Sequence, residues 1–414
     1  MKIGLVSHYF WPEVGAPSAR LLEMGRVWAA RGHRVVAVTN FPNHPTGLVP
    51  AAYAEAAQRG FMLETVEGIE VARCRTYATP NRGFVKKTLG HLVFMVQSAR
   101  QGRAPLAGAD AVVASSPTLF SAVGAWWLAR RLGAPFVIEV RDLWPGIFTE
   151  LGVIRQRGLI RALEGLELLL YRRSAAVVTV THGFAANIVG RGIEAAKVHV
   201  IPNGVDLGAF ALGPPDAALL ARLGLSGKFV VLYCGAHGIS HALGRILEVA
   251  ERLRSDARLH FLFVGEGAEK DALEAAARAK GLANVSFHPA VGREQVAAFY
   301  RSADVCLVPL RDVPLFRTFI PSKMFEILAC GRPIVASLAG EAAEILLASG
   351  AALVTPPEDV PAIAAAITRL AAEPALAREL EARGRPFVAD RYDREALALR
   401  YLALLEGLAQ RKMR

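Results

Sequence analysis

The sequence predicts an α/β protein built from two doubly wound parallel sheets. Three observations predict it. Short apolar runs recur along the whole chain and alternate with helical patterns, as strands covered on both faces require. The series breaks once, in the Gly- and Pro-rich residues 202–215, and then resumes. A length of 414 residues is long for one core and suits two domains of about 200 residues each.

The elements follow in order. Residues 3–6 read as the first strand, too short an apolar run for a signal peptide. A helix is expected over 17–31 and a strand over 34–39, with further strands at 111–114, 136–140, 176–180 and 198–201. The second series has strands at 229–233, 260–264, 285–287, 305–309, 334–337 and 352–354. Residues 387–414 read as a terminal helix with apolar positions at Leu397, Tyr401, Leu404 and Leu405. Two such sheets on one linker leave a cleft, with ligands expected at the carboxyl ends of the strands.

Composition narrows the function classes. The chain is 53% hydrophobic and 21% charged, with net charge +11 and pI about 9.8. That balance attracts polyanions: nucleic acid, anionic lipid or phosphorylated substrates. The basic residues are not interleaved with aromatics on one element and no nucleic-acid motif is present, so nucleic acid is not expected as a partner. Cys74, Cys234, Cys306 and Cys330 are scattered without metal-ligand spacing, which fits a reducing cytoplasm with no disulfide framework. No apolar run reaches the roughly 20 residues of a membrane span.

The most informative stretch is residues 321–333. Pro321 suits the first position of a short helix and Gly331 the left-handed residue past its end. Lys323 sits in the first turn, where the helix dipole disfavours a cation, and Arg317 lies just upstream. Two cations there make sense if an anion such as a diphosphate binds. Glu326 follows on the same face and can accept hydrogen bonds from sugar hydroxyls. A solvated Lys323–Glu326 pair is the alternative.

Other loops add to this. Residues 7–17 lack G-x-G-x-x-G, although Gly15 either lets backbone amides approach a phosphate or serves a tight turn. Gly235-Ala236-His237-Gly238 and Gly265-Glu266-Gly267 follow consecutive strands of the second series and suggest close backbone contact with a nucleotide. In residues 136–145, Glu139 and Arg141 share one face of an apolar strand, and either pair with each other or serve a site. Arg141 and Asp142 lie at the carboxyl end, where an active site belongs. Residues 82–100 are basic at the ends and apolar between, as a helix at an anionic membrane surface or a buried helix with charged ends would be.

Taken together, Glu139-Val140-Arg141-Asp142-Leu143-Trp144-Pro145, Ile201-Pro202-Asn203-Gly204-Val205-Asp206, Val264-Gly265-Glu266-Gly267 and the 321–333 helix with Gly340-Glu341-Ala342-Ala343-Glu344 resemble retaining glycosyltransferases of family 4, which have the GT-B fold. The similarity extends to the branch that assembles bacterial surface polysaccharides such as O-antigen, including fucosamine transferases. The resemblance implies an acceptor domain over 1–204, a nucleotide-sugar donor domain over 205–386, and a segment 387–414 returning to the first domain. It implies transfer of a sugar, of the amino- or deoxy- kind, from a UDP-sugar to a lipid-linked saccharide. Glu326 matches the ribose ligand of the family's paired-glutamate motif, whereas Thr318 stands where the first Glu is usual. Arg141 stands where many relatives have His, and a permanently protonated Arg is a poor base. Arg317 and Lys323 then take the diphosphate charge, with His237 or His241.

No D-x-D pair is present at a strand end, so metal-independent transfer with no cofactor is expected. The expected catalytic residues are Asp142 and Arg141, and the expected donor residues are Gly15, Gly235, His237, Gly265, Glu266, Gly267, Arg317, Thr318, Lys323 and Glu326. The expected location is cytoplasmic, peripheral on the inner face of the cell membrane through 82–100. A sugar-nucleotide epimerase or hydrolase, or a non-catalytic nucleotide-sugar-binding protein, are the alternatives.

Overall fold

The structure, a computed structural model, describes residues 1–13, 15–44, 46–79, 84–116, 118–146, 149 and 156–413. The chain divides into two compact units: Met1–Asn203 with Arg394–Arg414, and Gly204–Asp393.

The first unit runs β1 (Lys2–Val6), α1 (Ala16–Ala30), β2 (Arg34–Asn40), α2 (Ala51–Arg59), β3 (Phe61–Val66), β4 (Ile69–Cys74), α3 (Phe84–Gln101), β5 (Ala111–Ser115), α4 (Leu119–Leu132), β6 (Phe136–Val140), α5 (Arg157–Arg173), β7 (Ala176–Thr179), α6 (His182–Gly190) and β8 (Val198–Val200). Its eight strands are ordered β3-β4-β2-β1-β5-β6-β7-β8. All neighbours are parallel except β3 and β4. The inner strands are buried almost throughout, which is why they read as continuous apolar runs.

The β3–β4 hairpin is absent from the sequence reading. Its two-residue turn, Glu67-Gly68, has positive φ at both residues (48° and 82°), which matches the twist of a tight hairpin. At this sheet edge Leu63 stays exposed, so no buried run marks the strand.

The second unit runs α7 (Ala217–Arg222), β9 (Phe229–Cys234), α8 (Leu243–Arg252), β10 (Leu259–Val264), α9 (Lys270–Ala279), β11 (Val285–His288), α10 (Arg293–Arg301), β12 (Val305–Pro309), α11 (Lys323–Ala329), β13 (Ile334–Ser337), α12 (Glu341–Ser349), β14 (Ala352–Thr355), α13 (Val360–Ala372) and α14 (Pro374–Arg391). The sheet is ordered β11-β10-β9-β12-β13-β14 and is parallel throughout. Its core gathers Tyr233, Phe261, Phe263, Leu307 and Ile367.

The last helix, α15 (Arg394–Met413), belongs to the first unit. Trp28 of α1 donates its indole N–H to Ala398 O at 2.8 Å, and its ring packs edge-on against Tyr401 at 5.4 Å. Leu397, Tyr401 and Leu405 are buried there, with Leu404 half-buried. The returning segment begins at Arg394, later than the expected 387. Residues 387–391 still end α14, because Tyr392 stacks on Phe325 of α11 at 4.4 Å and packs against Phe387 at 5.8 Å.

Strand order reverses between β1 and β5 in the first sheet and between β9 and β12 in the second. Loops at the carboxyl ends beside such reversals are where open α/β sheets bind ligands. No single described helix is long and apolar enough to cross a membrane. Of the expected surface segment 82–100, residues 82 and 83 lie outside the described residues, and the rest forms most of α3.

Candidate functional site

In the second unit the candidate residues gather at the carboxyl ends of β9 and β10. Gly235 and Gly265 have φ of 145° and 144°, a region that side chains avoid. A Cβ on Gly265 would overlap the Gly235 carbonyl, and one on Gly267 would overlap the backbone of His237. One on Gly235 would lie 2.6 Å from Lys323 Nζ. The two loops are laced together: Gly235 N–H donates to Val264 O at 2.9 Å, His237 N–H to Glu266 O at 2.9 Å and Glu269 N–H to His237 O at 3.0 Å. These glycines therefore serve loop-on-loop packing, which is closer to the turn role of glycine after a strand than to direct nucleotide contact.

Lys323 opens α11, two residues after Pro321, and Gly331 beyond its end has φ 65°, as expected of a left-handed cap. The Lys323 ammonium lies 3.9 Å from the centre of the Tyr233 ring. It is buried and makes no hydrogen bond or ion pair among the described residues. Burial pulls it down to about 8, against weak opposing pulls from Cys234 and Glu326. With seven residues, α11 is short, and the case for an anion rests on this ammonium rather than on the helix end.

Glu326 does not form the alternative surface pair with Lys323. Its Oε2 accepts the Tyr300 hydroxyl at 3.3 Å and its Oε1 lies 3.5 Å from Arg293 Nη1. Both partners come from α10, and neither was expected. Their seven-residue spacing, two helical turns, places them on one face and was a readable signal. Phe210 supports this group, 5.3 Å beneath the Arg293 guanidinium and 6.2 Å from the Tyr300 ring.

His237 and His241 flank Tyr233, with ring centres 5.8 and 5.9 Å away. His237 is fully buried, and among the described residues both its ring nitrogens lack partners. Burial, then Lys270 and Lys323, push it down to about 4. Burial and then Lys323 push His241 to about 3. The other candidates have local partners. Arg317 is exposed and 3.6 Å from Asp312, on the 3-10 turn Pro314–Thr318. Thr318 donates its hydroxyl to Leu315 O at 2.7 Å within that turn. Glu266 is exposed and bonded to Lys270 at 2.6 Å, which lowers its pKa.

In the first unit, Gly15 precedes α1 with extended backbone (φ 167°) and is exposed. Arg141 and Asp142 follow β6. Glu139 does not pair with Arg141. Instead its carboxylate accepts Arg20 Nε at 3.0 Å and the Ser115 hydroxyl at 2.8 Å. Burial favours the neutral acid, but Arg20, Arg141 and Ser115 outweigh it and hold Glu139 below the usual range. Arg20 also donates to Ile201 O at 2.9 Å and Pro202 O at 2.8 Å. The Arg141 backbone N–H donates to Ser116 Oγ at 2.8 Å, while its Nη1 is buried without a partner. Burial lowers Arg141 to about 10 and raises Asp142 to about 6. Among the described residues no three His, Cys, Asp or Glu side chains gather as metal ligands would.

Comparison with known proteins shows what the two units are similar to. Residues 15–204 match the glycosyl transferase 4-like domain, and residues 228–373 match glycosyl transferases group 1. A protein of Escherichia coli strain K12 named as a colanic acid biosynthesis glycosyl transferase, WcaI, is 28% identical over 89% of this chain and 91% of its own. A D-inositol 3-phosphate glycosyltransferase of Segniliparus rotundus is 33% identical over 52% of this chain and 48% of its own. Sucrose-phosphate synthase of Thermosynechococcus elongatus superposes with TM-score 0.77 at 22% identity, over 98% of each chain. Anabaena HepE, solved in complex with UDP-glucose, superposes with TM-score 0.74 at 17% identity, over 98% of this chain and 100% of its own.

Proposed function

From the premise that the chain is a GT-B glycosyltransferase with a 4-like domain and a group 1 domain, we propose that it moves an amino- or deoxy-sugar from a UDP-sugar to a lipid-linked saccharide in surface-polysaccharide assembly. The observation that carries the donor reading is the Lys323 ammonium, buried and without a partner beside the β9 loop. An uncompensated buried cation is costly, and a diphosphate in contact with it removes the cost. Glu326, held by Tyr300 and Arg293, accepts hydrogen bonds from the ribose. His237 and His241 line the same loop. The polysaccharide assignment draws on the name of the WcaI relative.

In this reading the anomeric carbon–oxygen bond to the diphosphate breaks and the diphosphate keeps the electron pair. The acceptor oxygen bonds to that carbon on the same face, so configuration is retained. Its proton passes to the departing phosphate oxygen, so no side-chain base is needed. Lys323 stabilises the negative charge as it develops. Asp142, ionised above about 6, orients the acceptor hydroxyl, with Arg141 beside it. The enzyme acts in the cytoplasm at the inner face of the membrane, where the outward side of α3 presents Lys86, Leu89, Val96 and Arg100.

Calorimetric titration with UDP tests the donor site, and a turnover assay with a polyprenyl-diphosphate sugar tests transfer. Glu326→Ala is expected to weaken UDP binding by ~1–3 kcal/mol through lost hydrogen bonds to a charged group. Unchanged UDP affinity in that variant, with the fold intact, removes Glu326 from the site. UDP release without a glycosylated product points to hydrolysis or epimerisation instead.

A further inference from the structure

The first unit holds a basic cluster that the donor reading does not use. His8 follows β1, and its Nδ1 lies 2.9 Å from the side-chain nitrogen of Asn40, the last residue of β2. His44 lies just beyond β2. Lys87 and His91 sit one turn apart on α3 and so share a face. The His8 ring meets that of His91 at 4.6 Å, Tyr9 at 4.8 Å and Phe94 at 5.3 Å, all edge-on. Tyr9 in turn meets His44 at 5.2 Å. His8, Tyr9, His44 and Lys87 are half-buried and form a rim over His91, which is 5% exposed.

Among the described residues no carboxylate pairs with His8, His44, Lys87 or His91, although Glu13 stands near Tyr9. Lys87 makes no hydrogen bond or ion pair among the described residues. His91 Nε2 is buried without a partner. Glu13 Oε1 accepts the backbone N–H groups of Asn43 and His44, each at 2.9 Å, its Oε2 is buried without a partner among the described residues, and burial raises its pKa, favouring the neutral acid. Burial and the Lys87 charge both disfavour the protonated form of His8, His44 and His91. Ring packing alone explains the edge-on histidines but not an unpaired lysine set among them. The group stands at the carboxyl ends of β1 and β2, beside the reversal of strand order.

We propose that His8, His44, Lys87 and His91 bind the phosphate-bearing group of the acceptor, a phosphate or diphosphate ester. Lys87 supplies a point charge and the imidazoles supply N–H donors in a half-buried setting where charge-assisted bonds are strong. Lys87 therefore belongs to this site, while Lys86 faces outward. The inference rests on the reading that the acceptor is phosphorylated, and it does not depend on the donor.

The test is a histidine-selective ¹⁵N NMR titration of the full chain, first saturated with UDP to occupy the donor site. Inorganic diphosphate, N-acetylglucosamine 1-phosphate, and nanodiscs carrying a polyprenyl-diphosphate sugar are the probes. The expected result is that His8, His44 and His91 signals move while that of His260, on β10 of the second unit, does not. Lys87→Gln should weaken the response at least fivefold with Tm unchanged. Tighter response to the nanodisc-borne diphosphate assigns a lipid-linked source, and tighter response to the sugar phosphate assigns a soluble one; both uphold the site. No movement with any probe, or equal affinity in Lys87→Gln, overturns it. Failure of the donor reading is read separately, as a His237 signal that UDP leaves unmoved.

Discussion

Arg20 of α1 and Glu139 of β6, 119 residues apart in the chain, form an ion pair of 3.0 Å with both side chains almost wholly buried. The same guanidinium reaches the carbonyls of Ile201 and Pro202, where the chain is about to leave the first unit. One side chain thus ties α1, β6 and the start of the linker together.

Removing either partner leaves a buried charge uncompensated. Arg20→Ala is expected to destabilise the protein by ~3–5 kcal/mol in denaturant unfolding. The pH dependence follows from Glu139 being held below its usual value. Where the two states differ, the unfolded chain binds the extra proton, so stability rises with pH. The pair's contribution is fully present above about 4.5, the ordinary glutamate value, and is lost as pH falls through the lowered native value. A change below about 1 kcal/mol in Arg20→Ala would show that the pair is dispensable.

Lys323 carries a stability cost that the proposed diphosphate contact offsets. Its pull from 10.5 to about 8 corresponds to about 3 kcal/mol against the charged form. Between those values the unfolded chain binds more protons, so the free protein should gain stability as pH rises from about 8 to about 10.5. Lys323→Met should raise the Tm of the free protein at pH 7 and abolish UDP binding. A lowered Tm with intact binding contradicts the anion role.

In the proposed mechanism Asp142 sets the acidic limb of transfer. If its ionised form orients the acceptor, kcat/KM should fall as pH drops through about 6. Asp142→Asn should lower kcat/KM and flatten that limb. Stability moves the opposite way: the native state holds the proton more tightly, so Asp142 costs stability progressively as pH rises from about 4 to about 6. A pH–rate profile unchanged in Asp142→Asn removes the residue from the mechanism.

Glycines 15 and 265 should respond in opposite ways. A Cβ on Gly265 strikes the Gly235 carbonyl at a φ side chains avoid, so Gly265→Ala is expected to lose more than about 1 kcal/mol of stability. At Gly15 the nearest atom to a Cβ is Pro17 Cδ at 3.7 Å, and the backbone is extended. Gly15→Ala should therefore keep its Tm. Paired thermal melts and donor KM values decide whether Gly15 matters through a ligand's close approach: an unchanged KM means it does not.

The outward face of α3 predicts membrane attachment. Lys86→Glu with Arg100→Glu should weaken binding to anionic vesicles by at least ~2 kcal/mol, about thirtyfold, since each basic residue near the surface adds about 1 kcal/mol. Raised salt should weaken the unaltered protein in the same direction. Flotation that ignores both changes excludes this face.

By itself, the sequence determined the two parallel sheets, since strands buried on both faces must be apolar throughout and so announce themselves, as in residues 111–114 and 305–309. It also determined the punctuation of α11, because Gly331 needs a left-handed backbone that few residues accept. The β3–β4 hairpin escaped because edge strand β3 is partly exposed, and buried β4 has its apolar run broken by Glu70 and by Arg73, which pairs with Glu64. Only the tertiary structure decided the partners. Glu139 takes Arg20 rather than Arg141, Glu326 takes Tyr300 and Arg293 rather than Lys323, and Lys87 turns toward three histidines while Lys86 does not. The physical reason is one of range: backbone preference and hydrophobic period act over a few neighbouring residues, whereas a buried charge is satisfied by whichever distant side chain the fold brings within reach.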